Sequence, residues 1–350
     1  MSTLAAIVLP TPEAELWRYS RIRELNLGEY HPAEATTRIT GASTTSESQI
    51  ALDAVSGEAA DVFEQYNAEH AQVSRISTKR GELVKTPVVV EHSLGVSGIV
   101  CTPLLEIDAA ENSEITVVER FSSADDVRSL VIPSVRIRAA QSARVTYVQI
   151  NELGRATWSI GYQRATGERD SSISTSTVAL GGDYVRVRAG VRLVGSGANA
   201  KQVALYFADG NQMHDFRTLQ DHVAPRTRSD LLFKGAVKDT AKSVYTGLIK
   251  IRDTADKAEA FQTNRNLTLS SGAWAESVPN LEIETNDVKC SHASTVGPID
   301  EEQRFYLESR GIRPEIAERL VVFGFFADVI DRLPAAAQPD VLREKVGARI

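Results

Sequence analysis

The sequence predicts a mainly β protein, with a β-rich core between an N-terminal and a C-terminal helical region. From about residue 72 to residue 292, valine, isoleucine and threonine dominate, and apolar and polar residues alternate with the period of two that strands show. Before and after this stretch, residues typical of helix starts precede apolar residues at helical spacing. We therefore predict an N-terminal helical region with a Thr/Ser-rich linker over residues 1–71, a β core over 72–297 and a C-terminal helical domain over 298–350.

The N-terminal region is predicted to hold two helices. The first lies in TPEAELWRYSRIREL, where Thr11 can act as N-cap and Pro12 occupies the first helical position. The second is expected around GEAADVFEQYNAEHA. Between them lies ATTRITGASTTSESQ, whose threonines and serines indicate a mobile linker.

The β core contains many short predicted strands. The clearest is YVRVRAGVRLVG, where Val185 and Val187 lie on one face and Arg186 and Arg188 on the other. Further strands are predicted in TPVVVEH, SEITVVERF, ARVTYVQI, KQVALYFADG and KSVYTGLIKI. Such a series can form a sandwich, a barrel or a β-solenoid. No strict repeat is visible, so the strand pattern alone leaves the three architectures open.

The C-terminal region is predicted to contain two further helices. PIDEEQRFYLESRG begins after Asp300 as N-cap and ends at Gly311, and RPEIAERLVVFGFFADVIDRLP begins at Pro314. Apolar residues nearly encircle the second helix, so we expect it to be buried on most sides. Its own β core with the last helix, or a partner protein, could provide the cover, and the sequence leaves both open.

Composition and charge exclude several classes of protein. Hydrophobic residues make up 42% of the 350 residues and charged residues 24%, which is ordinary for a soluble globular protein. The net charge of −7, without a long basic block, argues against nucleic acid and against an anionic membrane as partners. Two cysteines cannot form a disulfide framework, and the N-terminus lacks a signal peptide's basic start. We therefore predict a cytoplasmic protein.

Motifs of common enzymes are missing from the sequence, which has no P-loop, no H-E-x-x-H and no G-x-S-x-G. We predict that the chain is not an enzyme and binds no nucleotide itself. Cys101, in an apolar stretch, is expected to be a small buried residue. His214 and His222 are possible site residues, although polar groups satisfied in a turn region are the favoured interpretation. Asn264 and Asn266, in NRNLTLS, are expected to have a structural role.

The stretch DVKCSHASTVG holds the strongest metal-ligand pattern. In an extended strand, residues i and i+2 lie on one face about 7 Å apart, so Cys290 and His292 should point the same way. A tetrahedral iron or zinc site needs four ligands, so this pair is half a site. The remaining ligands would have to come from another chain, from sulfide or from small thiols. Packing in the core is the alternative, and the residues alone give the two interpretations equal weight.

Four segments of the sequence resemble those of a known family. SVYTGLIKI, TNRNLTLS and DVKCSHASTVGPIDEEQRFYLESRGI, with ELWRYSRI near the N-terminus, are similar to the SufB/SufD family of scaffolds for iron–sulfur cluster assembly in the SUF system. The match is strongest over residues 222–330. The VKCSH form, with Lys289 and Ser291, and the modest length resemble the SufD branch, with the SufB-type paralogue as the alternative. The chain is short even for that branch, which implies a trimmed N-terminal region.

The resemblance implies a right-handed parallel β-helix for the core. It also implies a heterodimer with a SufB-type paralogue and binding of a SufC-type ABC ATPase, with a homodimer as an option for the isolated chain. A transient, nascent iron–sulfur cluster would form at the interface between the paralogues. Cys290 and His292 match family positions near that interface, where His292 is the stronger candidate ligand and Cys290 a candidate ligand or sulfur relay.

The resemblance further implies that the C-terminal helices contact the ATPase. Residues expected at that contact are Phe305, Tyr306, Arg310, Gly311 and Phe325. The alternative is a purely structural and recruiting subunit whose Cys/His pair is not a ligand.

Overall fold

The computed structural model describes residues 4–41, 50–51 and 60–350, and its core is a parallel β-solenoid. The strands form one 11-stranded and one 9-stranded sheet, called here the first and the second sheet. In the regular part of the solenoid the chain alternates between the two sheets. Each turn of the solenoid, called a rung, adds one strand to each sheet. Neighbouring strands are parallel, except that β2 runs antiparallel to β4. The mainly β prediction is confirmed, and of the three architectures the solenoid is the one found.

The strands of the described residues have the following bounds: β1 His31–Pro32, β2 Thr36–Thr40, β3 Gln72–Ser77, β4 Val88–Leu94, β5 Ile99–Cys101, β6 Pro103–Ala109, β7 Glu114–Ser123, β8 Leu130–Val131, β9 Ser134–Ala139, β10 Arg144–Glu152, β11 Trp158–Gly167, β12 Ser172–Ala179, β13 Tyr184–Leu193, β14 Asn199–Ala208, β15 Met213–His222, β16 Arg228–Val237, β17 Lys242–Ile251, β18 Glu259–Thr268, β19 Trp274–Ile283 and β20 Lys289–Gly297. The α-helices are α1 Val62–His70, α2 Glu301–Ser309, α3 Pro314–Asp331 and α4 Pro339–Gly347.

The solenoid repeat is real but degenerate in sequence. Residues that occupy one position of the first sheet follow one another in register from Trp158 to Tyr184, Met213, Lys242 and Trp274. These positions are about 30 residues apart, within the range of solenoid repeats. Because their side chains share neither size nor polarity, a search for a repeated motif does not reveal the period.

The interior of the solenoid changes character along its axis. Aliphatic residues such as Val117, Ile137 and Val145 fill the early rungs, and aromatic residues such as Tyr206 and Phe233 fill later ones. Buried amides then follow on β18. The Nδ2 of Asn264 donates to the Tyr206 hydroxyl at 3.1 Å, and the Nδ2 of Asn266 donates to the Asn264 side chain at 2.8 Å. The structural role expected for the two asparagines is confirmed.

The N-terminal segment covers the outer face of the first sheet, but not as predicted. The helix expected from Thr11 is wrong, because only short 3₁₀ turns form there, at Glu15–Trp17 and Ile22–Glu24. Tyr19 interrupts them with φ of 65°. Trp17 and Ile22 are buried on the sheet, so tertiary packing outweighs local helix propensity.

The rest of the N-terminal prediction is partly correct. The second predicted helix exists as α1, and Asp61 caps it by accepting from the backbone N–H groups of Phe63 and Glu64. The predicted linker is wrong over Thr36–Thr40, which form strand β2. Residues 42–49 of that linker lie outside the described residues, as do residues 57–59 of the predicted second helix.

A buried ion-pair network lies between this N-terminal cover and the first sheet. Arg186 and Arg217 both bond Asp215, which is fully buried, and the Tyr184 hydroxyl donates to it at 3.0 Å. Burial alone would raise the pKa of Asp215, but the two guanidinium groups hold it below its ordinary value. The Arg186 guanidinium also lies 4.1 Å from the Trp17 ring centroid. Arg186 lies on the face opposite Val185, as predicted, yet the N-terminal segment buries it.

The C-terminal helices cover the outer face of the second sheet. Asp300 caps α2 by accepting from the N–H groups of Glu302 and Gln303, as predicted. Helix α3 packs Val322, Phe326 and Val329 against the sheet and α4, while Leu320 on its other side is exposed. The protein's own core therefore covers one side of α3. Of the described helices, none has the length and apolar character needed to cross a membrane.

Candidate functional site

The last rung of the solenoid, formed by β19 and β20, is open. Within the described residues, β19 pairs with β17 and β20 with β18, and no strand lies beyond either. This rung, with its exposed inner face and its unpaired strand edges, is called here the open rung. It exposes side chains that an additional rung would bury, among them Leu281 at 38% and Ile283 at 42%.

Cys290 and His292 lie on the inner face of β20. Cys290 packs against a buried cluster that includes Ile251, Ala258 and Ala260, so its side chain points into the solenoid. His292, two residues on, shares that face. The Ser294 hydroxyl donates to Ser277 Oγ of β19 at 2.7 Å, which shows that the inner faces of the two strands oppose each other. The structure thus brings both predicted ligands to the mouth of the solenoid.

The two side chains differ in their surroundings. Cys290 is half-buried, and burial raises the pKa of its thiol above the ordinary value. Because the thiolate is the form that binds metals, this burial works against Cys290 as a ligand. His292 is exposed and accessible. This difference agrees with His292 as the stronger ligand of the pair.

The site is incomplete within this chain. No group of three or more histidine, cysteine, aspartate or glutamate side chains with metal-binding geometry occurs in the described part of the chain. Two ligands can hold iron only weakly, so a stable site would need further ligands from another molecule. The pair is therefore half of a metal site, to which another molecule would have to add ligands.

The other cysteine and the two strand histidines are structural. Cys101 is fully buried, and burial raises the pKa of its thiol to about 11. His222 bonds the hydroxyls of Thr227 and Ser229, both at 2.7 Å, and His214 approaches the Gly181 carbonyl at 3.3 Å. Burial lowers the pKa of each imidazole to about 4. Both lie on strand β15, so the expected turn region was wrong, and neither joins Cys290 or His292.

The residues predicted to contact a partner lie in three places. Tyr306 and Phe325 line one groove between helices α2 and α3 and the outer strands β18 and β20. Phe325 is half-buried, and the Lys234 ammonium lies 4.8 Å from its ring centroid. Phe305 lies outside the groove lining and is 71% exposed.

The remaining two predicted contacts lie at the end of α2. Arg310 places its guanidinium 5.0 Å from the Tyr306 ring centroid. Gly311 follows with a backbone φ of 83°. Residues other than glycine rarely adopt this conformation, which ends the helix.

Gln262 is a neighbour of the candidate site that was not predicted from the sequence. It lies on β18 in register with His292, is 2% exposed, and neither of its amide atoms has a partner in the described protein. Its position two residues before Asn264 places it on the same inner face. Asn264 and Asn266 are two residues apart on the inner face, and the position two residues before Asn264 is Gln262. The same alternation in the sequence would therefore have identified Gln262 as an inward-facing residue.

Comparisons with known proteins agree on one family. Residues 93–325 match the family model described as the SufBD core domain of SUF system FeS cluster assembly. An iron–sulfur cluster assembly SufBD family protein of Mycobacterium tuberculosis is 35% identical, covering 99% of this chain and 89% of its own length. SufD of Escherichia coli is 31% identical over 83% of this chain and 69% of its own length. SufD of Bacillus subtilis is 33% identical over 65% of this chain and 53% of its own length.

Proposed function

The chain belongs to the SufBD family of the SUF system, with the features of its SufD members and a role in iron–sulfur cluster assembly, and from this premise we propose a specific function for it. It acts as a scaffold subunit that pairs with a SufB-type paralogue and binds a SufC-type ABC ATPase. A nascent cluster forms transiently at the interface between the paralogues. The proposal assigns the chain no reaction of its own, no bound nucleotide and a location in the cytoplasm.

One observation carries the proposal: His292 and Cys290 lie together on the accessible inner face of the open rung. A resident metal site would be expected to contain its ligands within one chain. A site that loads a cluster and passes it on needs ligands that separate when the interface opens. His292 supplies a nitrogen ligand from this side, and the partner and sulfide supply the rest.

The open rung also supports pairing with a paralogue. The outer edges of β19 and β20 carry backbone N–H and C=O groups without a neighbouring strand in the described residues. Exposed edges of this kind pair readily with strands of another chain. Leu281 and Ile283 would be buried by such a partner.

The C-terminal helical domain, residues 298–350, is assigned to the ATPase. Phe305 and Tyr306 are large apolar side chains that α2 exposes to solvent at 71% and 57%. Aromatic residues of this kind, together with arginine, are enriched at protein interfaces. Arg310 lies over the Tyr306 ring, Phe325 lines the same groove as Tyr306, and Gly311 ends the helix that carries Tyr306.

The proposal is tested in the assembled complex. The chain is co-expressed with its SufB-type and SufC-type partners, purified without oxygen and analysed for iron and sulfide. We expect His292→Ala to lower cluster content while the complex stays intact. Ser291→Ala, on the opposite face of the same strand, is the matched control and should leave the content unchanged. Normal cluster content in the His292 variant would remove the ligand role.

A second candidate function rests on the packing of Cys290. Its contacts with Ile251, Ala258 and Ala260 are those of a core residue. In this alternative the Cys/His pair is structural, and the subunit only stabilises its paralogue and recruits the ATPase. Cys290→Ala and His292→Ala would then both leave cluster content unchanged, whereas substitutions on α2 would prevent assembly.

A further inference from the structure

The amide of Gln262 is buried next to the candidate ligand and has nothing to bond. Gln262 and His292 are register partners on adjacent parallel strands, about 4.8 Å apart in the sheet. Gln262 is 2% exposed, and both Nε2 and Oε1 lack a partner in the described protein. Buried polar side chains are normally hydrogen-bonded, so an amide left unpaired at this place needs an explanation.

The residues around the Gln262 amide leave it room and do not hydrogen-bond to it. A Cβ atom at Gly247, across the solenoid interior, would lie 2.6 Å from both amide atoms of Gln262. Glycine at this position therefore provides the space that the amide occupies. The nearby Tyr245 hydroxyl is already engaged with the Thr218 hydroxyl at 2.8 Å. His292 shares the inner face on the adjacent strand, in register with Gln262, and its side chain is exposed.

We propose that Gln262 positions His292, by accepting a hydrogen bond from one ring N–H at its amide oxygen. This inference rests on the proposed function, in which His292 binds iron. An imidazole binds metal through its unprotonated nitrogen, and the other nitrogen keeps its proton and needs an acceptor. Because neither amide atom of Gln262 is engaged, the amide can turn its oxygen towards His292 without breaking another bond. The bond fixes both the tautomer and the direction of the ring.

The solenoid offers a matched control for this proposal. Gln202 lies in the same inward column as Gln262, with Leu231 between them. It is also 2% exposed, and both of its amide atoms are unpaired. It lies three strands from His292, roughly 14 Å away, and cannot reach the ring. Gln202→Leu therefore repeats the change in volume and polarity without touching the site.

The first measurement is anaerobic titration of the assembled three-protein complex with ferrous iron. Loss of a hydrogen bond to a metal-binding histidine typically weakens metal binding 10- to 100-fold, and we expect a loss in that range for Gln262→Leu. Gln202→Leu should bind iron as the wild type does. In a His292→Ala background, Gln262→Leu should cause no further loss, because Gln262 acts through His292. Gln262→Met, a second apolar replacement of similar length, should reproduce the effect.

The second measurement does not depend on iron. In the complex carrying ¹⁵N-labelled histidine, the His292 ring signals are identified by their loss in His292→Ala. The wild type and Gln202→Leu should show one tautomer, and Gln262→Leu a mixture of two. Iron binding that is lost in His292→Ala but normal in Gln262→Leu would overturn the positioning role and leave the proposed function standing. Normal iron binding in His292→Ala would remove the proposed function, and the ring signals would then decide the hydrogen bond alone.

Discussion

The N-terminal cover and the open rung differ in the burial and pairing of their polar side chains. Under the cover, Arg186, Asp215 and Arg217 are buried and bond one another. At the open rung, His292 is exposed and Cys290 is half-buried on the inner side of the last strand, and Gln262 on the neighbouring strand β18 is buried without a partner in the described protein. Under the cover, the charged side chains are paired within the chain, whereas the candidate ligand His292 at the open rung is accessible to another molecule.

The largest expected effect of a substitution is under the cover. Asp215→Ala leaves Arg186 and Arg217 buried without their carboxylate, so we expect the free energy of unfolding to fall by about 3–5 kcal/mol. Urea titration of the isolated chain measures this loss. Glu111→Ala, which breaks an exposed ion pair with Arg80, should change it by less than about 1 kcal/mol. Equal effects of the two substitutions would contradict the contrast between buried and exposed ion pairs.

The two buried histidines of β15 should also make the free energy of unfolding depend on pH. His214 and His222 have pKa values lowered by burial from 6.5 to about 4 on folding, so the unfolded chain binds more protons between these values. Their contribution is complete above pH 6.5 and is lost as the pH falls towards 4. At pH 5 we expect a loss on the order of 2 kcal/mol for each histidine relative to pH 7.

The comparison of unfolding free energies at pH 7 and pH 5 measures this loss. His222→Gln removes one of the two titrating groups and should reduce the part of the difference that the two histidines cause by about half. An unchanged difference in that variant would exclude His222 as a source of the pH dependence.

At the open rung, the expected effect is on assembly rather than on folding. Ile283→Asp places a charge on a side chain that is 42% exposed, so the free energy of unfolding should change by no more than about 1 kcal/mol. Binding to the SufB-type paralogue, measured by co-purification, should be lost. Ile39→Asp is the matched control, because Ile39 is 41% exposed on β2 at the other end of the solenoid. If both variants lost the paralogue, the pairing surface would not be specific to the open rung.

The smallest effect on stability is expected on α2. Phe305→Asp changes a side chain that is 71% exposed, so the free energy of unfolding should stay within about 0.5 kcal/mol of the wild type. Binding of the SufC-type ATPase, measured by pull-down, should nevertheless be lost. Leu83→Asp, at a position 63% exposed, is the control and should retain it. Phe325→Asp is a less specific probe, because Phe325 is half-buried against Phe326 and would also disturb the fold.

Much of the fold could be predicted from the sequence, and the failures have a common physical cause. Strands alternate with a period of two whatever their partners are, so the β core and the shared face of Cys290 and His292 were visible. The helix predicted from Thr11 failed because contacts of Trp17 with a distant strand decide the backbone there. The period-two pattern of the asparagines could have placed Gln262 on the inner face, but its position beside His292 comes from the strand added about 30 residues later.

The two ends of the second sheet differ in the direction of their edge strands. At one end of the second sheet, β20 is parallel to its neighbour, whereas at the other end the short β2 is antiparallel to its neighbour. A head-to-tail filament needs two complementary ends on every copy. The second sheet of one copy therefore cannot continue as regular parallel rungs into the opposite end of another copy, which disfavours head-to-tail growth of the solenoid.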